Sequence, residues 1–263
     1  MLLTWLYVPA DRPDRFAKAV ASGADVVILD LEDAVPLARK DYARAAVAEF
    51  TSARHGVPIQ VRVGHAGDFA SVGPAVESVR LPKVESAREV AFAATLVSKP
   101  LHCLIESAVG LEAAHAIATA HPSVAGIGLG EEDLRSDLGV LDDEGLLWAR
   151  SRIVVAARAA GLPSPAMSVY PWLSDVDGLI ASCRAGRRLG FLGRAALHPQ
   201  QLPGIVEGFR PPHAEVARAQ TLLAAVTPES GALVLPDGRF ADRAAVAAAE
   251  RTVALAARCA VAP

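Results

Sequence analysis

Short apolar runs alternate along the chain with longer segments in which apolar residues recur at helical spacing. Each run is four to seven residues long, and most are rich in Val, Ile and Leu, as strands of a buried sheet are. The pattern predicts eight strands, at Leu3–Val8, Asp25–Leu31, Pro58–Val63, Ser78–Leu81, Leu101–Ile105, Ala125–Leu129, Ala166–Tyr170 and Ala195–His198.

Ala-rich segments that connect most of these runs are predicted to be helices. The connection after Val63 differs, because its glycines and Pro74 favour a loop over a long helix. Strands that alternate with helices pair in parallel through right-handed crossovers. The predicted helices of this part are Arg12–Ser22, Ala38–Arg54, Ser86–Leu96, Leu111–Ala120 and Gly145–Ala160.

Eight strand–helix units in about 200 residues favour a (β/α)8 TIM barrel over residues 1–210. A doubly wound open sheet is the alternative, and the number of strands makes it the weaker one. Residues 211–263 form a second unit, in which Pro211-Pro212 ends the barrel. Two further helices, His213–Val226 and Arg243–Val261, are predicted there as a C-terminal lid or oligomerisation arm.

Composition and charge narrow the class of protein. Apolar residues make up 52% of the chain and aromatic residues only 5%, so the core is expected to consist of aliphatic side chains. A net charge of −3 gives no electrostatic reason to expect nucleic acid or an anionic membrane as a partner. No apolar run approaches the roughly 20 residues that span a bilayer. Three widely spaced cysteines without a C-x-x-C motif indicate reduced thiols in a cytoplasmic protein.

Polar residues gather at the carboxyl end of nearly every predicted strand, which is where the active sites of TIM barrels lie. Scattered surface charge would not produce this distribution. The residues concerned are Pro9 to Arg12, Asp30, Glu32, Asp33, Arg62, Lys83, Glu85, Glu106, Asp133, Tyr170 and His198 to Gln200.

Glu106 and Asp133 are the candidate ligands of a divalent metal. Each follows an apolar run, and the two runs are neighbours in the predicted barrel. Mg²⁺ binds a few hard oxygen ligands and keeps positions open for water or substrate, which two carboxylates would allow. The alternative is that each carboxylate caps the helix that follows. The pair on adjacent strand ends favours metal binding.

Arg62 lies between apolar neighbours in Val61-Arg62-Val63, where an unpaired charge would be costly. It therefore either neutralises Glu32 or Asp33 or grips a substrate carboxylate in a bidentate manner, and both roles can coexist. Glu32 and Asp33 are interpreted as groups that orient metal-bound water and Arg62. Capping of the next segment by Asp33 is an equally good interpretation.

Other motifs indicate little chemistry. The glycines at 126, 128 and 130 do not have the spacing of a dinucleotide-binding loop, and close backbone approach inside a barrel explains them more simply. His198 at a strand end is more often a hydrogen-bonded structural residue than a catalyst. Neither a Ser-His-Asp order nor a G-x-S-x-G elbow is visible, which weighs against a serine hydrolase.

The sequence resembles the citrate lyase β-subunit family, in the branch of stand-alone CitE-like proteins close to the malyl-CoA lyases. The likeness runs from about residue 3 to the C-terminal helix, and its motifs are specific in combination. They are Trp5–Phe16, Gly23–Asp25, Leu29–Val35, Val61–Val63, Leu81–Ser86, Ile105–Ser107, Gly130–Leu134 and Leu197–Gln201.

The resemblance implies a TIM-barrel, Mg²⁺-dependent lyase that acts on acyl-CoA esters and a 2-oxo acid and assembles as a homotrimer or a higher homo-oligomer. It places the metal on Glu106 and Asp133 and the substrate carboxylate on Arg62. In the C-terminal arm it places a proton-transferring carboxylate on Asp242, over a neighbouring subunit's barrel. We also expect Gly130, Glu131 and Glu132 to bind substrate. Glu32, Asp33 and Lys83 are expected to orient the residues that bind the metal and the substrate, without touching the substrate themselves.

Four positions depart from the common family pattern: Leu3-Thr4, Gly64, Met167 and Arg194 stand where Arg-Ser, Asn, Asp and Lys are frequent. The departures surround the expected pocket and leave the substrate open. A malyl-CoA or citramalyl-CoA thioesterase, or a malate-synthase-like enzyme, is the close alternative to a lyase. A catalytically silent paralogue that binds an acyl-CoA or a keto acid is a more distant one.

Overall fold

Seven strands form one parallel sheet in the computed structural model, which describes residues 1–226, 233–234 and 240–260. Their order is β6-β5-β4-β3-β2-β1-β7, and residues of all seven line one central cavity. The α/β barrel predicted from the sequence is confirmed. The strands are β1 Thr4–Pro9, β2 Val26–Asp30, β3 Ile59–Arg62, β4 Val76–Leu81, β5 Leu101–Ile105, β6 Val124–Leu129 and β7 Arg194–Ala196.

The predicted strand at Ala166–Tyr170 is wrong as a regular strand. Only Met167 pairs there, through a single parallel bridge to Arg194. The Met167 amide donates to the Gly193 carbonyl at 2.9 Å, and the Met167 carbonyl accepts from the Ala195 amide at 3.0 Å. Prolines at 163, 165 and 171 flank this segment, and a residue without an N–H group cannot continue a hydrogen-bonded ladder.

The aliphatic sequence explains why the sheet is buried on both faces. All five residues of β2 are buried, as expected for a parallel strand with the barrel interior on one side and helices on the other. The main core joins strand and helix residues, among them Leu29, Val61 and Ile105. Cys103, Cys183 and Cys259 are free and buried in it, as the sequence predicted.

The predicted helices all have counterparts among the eleven α-helices of the described residues. Helices α6, α8 and α9 had no assignment from the sequence. The helices are α1 Phe16–Val20, α2 Lys40–Phe50, α3 Ala87–Leu96, α4 Ala108–Glu112, α5 Ala114–Ala118, α6 Glu131–Leu138, α7 Leu147–Ala159, α8 Val176–Leu189, α9 Leu202–Phe209, α10 His213–Ala225 and α11 Arg243–Ala260.

Short 3-10 helices precede or replace some of these elements, at Pro13–Arg15, Leu37–Arg39, Ala66–Ser71 and Pro199–Gln201. The loop predicted after Val63 contains one of them and no α-helix. His198 is the N-cap of another, and its Nδ1 accepts a hydrogen bond from the Gln200 amide at 3.2 Å. The structural interpretation of His198 therefore accounts for its position.

The C-terminal helices α10 and α11 pack on each other around a small apolar cluster that includes Leu222 and Ala249. Two short antiparallel strands, β8 Leu233–Val234 and β9 Phe240–Ala241, lie between them in the chain. An ion pair of Arg258 with Asp25 fixes the end of α11 at the amino-terminal end of β2. The roles predicted for this part, lid or oligomerisation arm, stay predictions. None of the described helices is long and apolar enough to cross a bilayer.

Candidate active site

A single cavity of about 860 Å³ runs along the barrel axis. Its lining extends from Pro58 and Pro100, which precede β3 and β5, to Glu106 and Asp133 beyond the carboxyl ends of β5 and β6. The interior of this barrel is therefore open space lined in part by polar side chains. Six of the expected site residues line it, namely Arg62, Glu106, Gly130, Glu131, Glu132 and Asp133, whereas Glu32, Asp33 and Lys83 do not.

Arg62 lies at the end of β3 and is held by two acidic residues at the end of β2. Its Nε and Nη2 donate to the two carboxylate oxygens of Asp30 at 2.7 and 2.6 Å, and its Nη1 lies 2.8 Å from Glu32 Oε2. Burial would lower the pKa of Arg62, but the hydrogen bonds and charge of Asp30 raise it above its usual value. The sequence predicted an acidic partner, although Asp30 was not assigned that role.

Lys83 links the remaining acids of this cluster. Its Nζ donates to Glu32 at 2.6 Å and to Asp33 at 3.2 Å. The hydrogen bond that Lys83 donates to Glu32 is the main cause that raises the pKa of Lys83. Lys83 has a φ of 54°, a left-handed conformation that costs about 1–3 kcal/mol and persists where the surroundings fix it. Asp33 makes no capping bond to the 3-10 helix that follows, so its capping role is not supported.

Glu106 carries a buried carboxylate oxygen to which no described residue donates. Its carboxylate is 5% exposed, and Oε2 has no hydrogen-bond partner among the described residues. Burial first, and then the charges of Glu32 and Asp133, raise the pKa of Glu106 to about 7. A divalent cation between Glu106 and Asp133 would reverse both effects. The capping alternative fails for Glu106, because Ser107 caps α4.

Gly130 makes room for the Glu106 carboxylate. A Cβ atom at position 130 would lie 2.6 Å from Cγ of Glu106, which is closer than side chains approach in proteins. Gly130 is also the N-cap of α6, and Asp133 lies in the first turn of that helix without a capping bond to it. The junction of β6 and α6 therefore brings the two candidate metal ligands to one place. Hard carboxylate oxygens in such an arrangement suit Mg²⁺.

The described part of the chain supplies at most two carboxylates at this position. Within residues 1–226 and 240–260, no group of three or more His, Cys, Asp or Glu side chains has the geometry to hold a metal ion. Water and substrate would complete the coordination, as is usual for Mg²⁺.

The three consecutive acids after Gly130 have different surroundings. The Glu131 carboxylate is buried and pairs with Arg150, whose Nε and Nη2 donate to it at 2.9 and 2.6 Å. The Glu131 amide, in turn, donates to Ser168 Oγ at 3.2 Å. Glu132 is exposed in the first turn of α6. Substrate binding by Gly130, Glu131 and Glu132 stays a prediction. In the structure, the Glu131 carboxylate already pairs with Arg150.

Asp242 lies apart from these residues. It precedes α11, and its Oδ1 accepts a hydrogen bond from the Ala245 amide at 3.0 Å, which caps that helix. It is exposed, and it is not among the described residues that line the cavity. Its catalytic role stays a prediction that needs a second copy of the chain. The neighbouring Asp237 lies outside the described residues.

Three of the four departures from the family pattern have defined contacts. A Cβ atom at Gly64 would lie 3.2 Å from Cγ of Glu32, so a larger residue would press on the partner of Arg62. Met167 is buried against Gly186 of α8. Arg194 is 2% exposed, donates to Ser182 Oγ at 3.0 Å and lies 5.5 Å from the Tyr170 ring centroid.

The sequence pattern did not predict the residues deeper in the cavity. Arg62 and Arg80 both lie against the ring of Tyr7, with their guanidinium carbons 5.0 and 5.8 Å from its centroid. Gln60 and His102 line the same part. The signal was present, since Arg80 stands inside an apolar strand just as Arg62 does.

Known proteins with similar sequences share nearly the whole length of this chain. A citrate lyase subunit beta-like protein of Mycobacterium tuberculosis (strain H37Rv) is 37% identical over 259 residues, which cover 94% of this chain and 92% of that protein. A (3S)-malyl-CoA thioesterase of Cereibacter sphaeroides (strain ATCC 17025) is 33% identical over 267 residues, which cover 95% of this chain and 93% of that protein.

The fold agrees with that of a solved relative. The crystal structure of protein CitE from M. tuberculosis in complex with magnesium, acetoacetate and coenzyme A is 35% identical and superposes with a TM-score of 0.83. The match covers 97% of this chain and 98% of that one. Residues 3–199 match the family described as HpcH/HpaI aldolase/citrate lyase. This chain therefore belongs to the HpcH/HpaI aldolase/citrate lyase family.

Proposed function

We propose that the protein is a Mg²⁺-dependent carbon–carbon lyase that cleaves, or forms, a 3-hydroxyacyl-CoA such as citryl-CoA or malyl-CoA. The products of cleavage are acetyl-CoA and a 2-oxo acid of the oxaloacetate type. The observation that carries this proposal is the buried, unpartnered Glu106 carboxylate, which shares one cavity with Asp133 and Arg62. A related protein that binds magnesium, acetoacetate and coenzyme A supports it.

Glu106 and Asp133 would hold the metal, since both offer carboxylate oxygens to the same part of the cavity. Bound Mg²⁺ acts as a Lewis acid that polarises the 2-oxo group of a chelated acid. The fixed negative charges of Glu32 and Asp30 remain balanced by Lys83 and Arg62. This balance leaves Glu106 and Asp133 as the charges for the metal to neutralise.

Arg62 is proposed to stabilise substrate charge. Asp30 takes two of its N–H groups, one on Nε and one on Nη2, and Glu32 adds an ion pair at Nη1. A guanidinium carries five N–H groups, so donors on Nη1 and Nη2 remain for a substrate oxygen. Its carboxylate partners fix the plane of the group before substrate arrives, which is the preorganisation that electrostatic catalysis needs.

Cleavage requires two proton movements. The 3-hydroxyl group loses its proton to water as the bond between C2 and C3 breaks, and the bonding electron pair becomes the enolate of the acetyl thioester. Protonation of that enolate at carbon then yields acetyl-CoA. We assign this proton to Asp242 of a neighbouring subunit in a homotrimer or a higher homo-oligomer.

The decisive test is product analysis with citryl-, malyl- and citramalyl-CoA. The proposal expects acetyl-CoA and a 2-oxo acid in equal amounts from one of the three, with loss of activity in EDTA and its return with Mg²⁺. Cleavage that persists in excess EDTA would contradict it. The Glu106→Gln protein is the matched negative control.

A thioesterase is the second candidate, and the 33% identity to a (3S)-malyl-CoA thioesterase favours it. Hydrolysis would release free CoA and the intact hydroxy acid, whereas lyase activity releases acetyl-CoA. A thiol assay therefore separates the two activities in one experiment. A silent binding protein would release neither product and would still bind oxaloacetate and Mg²⁺ in a calorimetric titration.

A further inference from the structure

A second arginine lies inside the barrel, beneath the site described above. Arg80 of β4 is 7% exposed and lines the cavity. Its Nη2 donates to Gln60 Oε1 at 3.1 Å, and its Nη1 lies 3.4 Å from the Tyr7 hydroxyl. Its Nε has no hydrogen-bond partner in the described chain. The guanidinium therefore has donor capacity that neutral neighbours do not fill.

Arg80 differs from Arg62 and Arg150 because none of the described residues supplies it with an acidic partner. Arg62 pairs with Asp30 and Glu32, and Arg150 pairs with Glu131. Over residues 1–226 and 240–260, no carboxylate lies within ion-pair distance of Arg80. A buried cation without a counterion is costly, and anion binding offsets that cost.

The strand next to β4 adds a neutral donor. His102 of β5 is the register partner of Arg80, and Gly126 of β6 is the register partner of His102. Burial, and then the charge of Arg80, lower the pKa of His102 to about 3, so its imidazole is neutral. A Cβ atom at Gly126 would lie 2.8 Å from His102 Nδ1, so the glycine makes room for the imidazole at this wall of the cavity.

We propose that Arg80, Tyr7, Gln60 and His102 form an inner subsite that binds a carboxylate. Arg62 and Arg80 both pack on the Tyr7 ring, so their guanidinium carbons are separated by no more than the sum of 5.0 and 5.8 Å. One small diacid can bridge such a separation. This inference rests on the proposed function. The subsite binds acids with a second carboxylate more tightly than monocarboxylates that share the same 2-oxo or 2-hydroxy end.

Malate and lactate are stable probes for this choice, because they differ only in the terminal carboxylate. Calorimetric titration of the full-length protein with Mg²⁺ should show malate binding about tenfold or more tightly than lactate, the scale of one charge-assisted contact. In Arg80→Met the malate affinity should fall by about that factor, with the lactate affinity unchanged. The exposed Arg54→Met is the matched control, and it should retain the preference of the wild type.

Three results would overturn the proposal: an equal loss for both acids in Arg80→Met, no loss for malate, or no preference in the wild type. If Arg80→Met fails to fold, NMR of the His102 imidazole in the wild-type protein tests the proposal instead. The imidazole resonances are assigned by their loss in the His102→Gln variant. Malate should shift them and lactate should not; shifts of equal size overturn the proposal.

Formate tests the alternative that the inner subsite binds a separate small anion rather than a carboxylate of the substrate. Wild-type affinity for formate equal to that for malate would overturn the assignment to the substrate's own second carboxylate, and much weaker formate binding supports it. These titrations measure binding alone. Failure of the lyase proposal, seen as no turnover of any CoA thioester, is therefore distinguishable from failure of the subsite.

Discussion

At the scale of single residues, the contacts of Arg62 give a sharp prediction. Asp30 and Glu32 together fix the guanidinium plane through Nε, Nη2 and Nη1. A lysine keeps the charge but offers no planar fork. Arg62→Lys should therefore lower kcat/KM. The decrease should correspond to a loss of about 2–4 kcal/mol in transition-state stabilisation, the scale of one electrostatic contact in an enclosed site. Steady-state kinetics measure it, and near-normal values would mean that Arg62 only pairs with its acids.

Glu106 and Asp133 give a prediction about the metal. Glu106→Gln or Asp133→Asn removes one of two anionic ligands, so each should abolish Mg²⁺-dependent turnover and weaken Mg²⁺ binding in calorimetry. Circular dichroism should show an intact fold in both variants. Glu112→Gln, an exposed site on α4, is the matched control and should bind Mg²⁺ like the wild type. Unchanged Mg²⁺ affinity in Glu106→Gln would refute the assignment.

The raised pKa of Glu106 predicts how stability depends on pH in the metal-free protein. Burial and the charges of Glu32 and Asp133 raise this pKa from 4.5 to about 7. Between those values the folded state binds more protons, so the free energy of unfolding should fall as pH rises, by about 3 kcal/mol in all. Denaturant titrations at about pH 5 and about pH 8 measure the change in the free energy of unfolding. The Glu106→Gln protein should lack the part of this change that comes from Glu106. A wild type and variant with parallel profiles would contradict the shift.

At the scale of elements, the two glycines near the junction of β6 and α6 differ in whether they tolerate an added methyl group. Gly130→Ala would place a methyl group 2.6 Å from Cγ of Glu106, whereas Gly128→Ala would make an ordinary 3.5 Å contact with Leu104. Gly130→Ala should therefore displace Glu106, lower stability by about 1–3 kcal/mol and weaken Mg²⁺ binding. Gly128→Ala should fold and bind Mg²⁺ normally. Thermal unfolding and calorimetry test both, and equal behaviour of the two variants would contradict the steric argument.

At the scale of the whole molecule, Asp242 predicts that active sites are shared between chains. Within one chain it caps α11 and is absent from the described lining of the cavity. A mixture of Asp242→Asn and Glu106→Gln chains should therefore recover part of the activity that each lacks alone, because one kind of site in a mixed oligomer is complete. Activity assays on mixed oligomers verified by mass spectrometry test this. No recovery would place the proton donor elsewhere.

How much the sequence determined is clearest in its strands and their acidic ends. Alternation of apolar runs with helical segments fixed the parallel α/β barrel, since hydrophobic period and crossover handedness are local properties. The same argument brought Glu106, Asp133 and Arg62 to one cavity, because the carboxyl ends of parallel strands meet at one rim. Glu32 and Lys83 join that group through ion pairs, Glu32 with Arg62 and Lys83 with Glu32.

Tertiary structure alone decided the rest. The choice of Asp30 as the bidentate partner of Arg62, the capture of Glu131 by Arg150 and the lack of an acidic partner for Arg80 depend on distances between strands that spacing in sequence does not specify. The segment around Met167 pairs only once because flanking prolines remove the N–H groups of a ladder. Local pattern thus set which elements form, and packing across the barrel set which side chains meet.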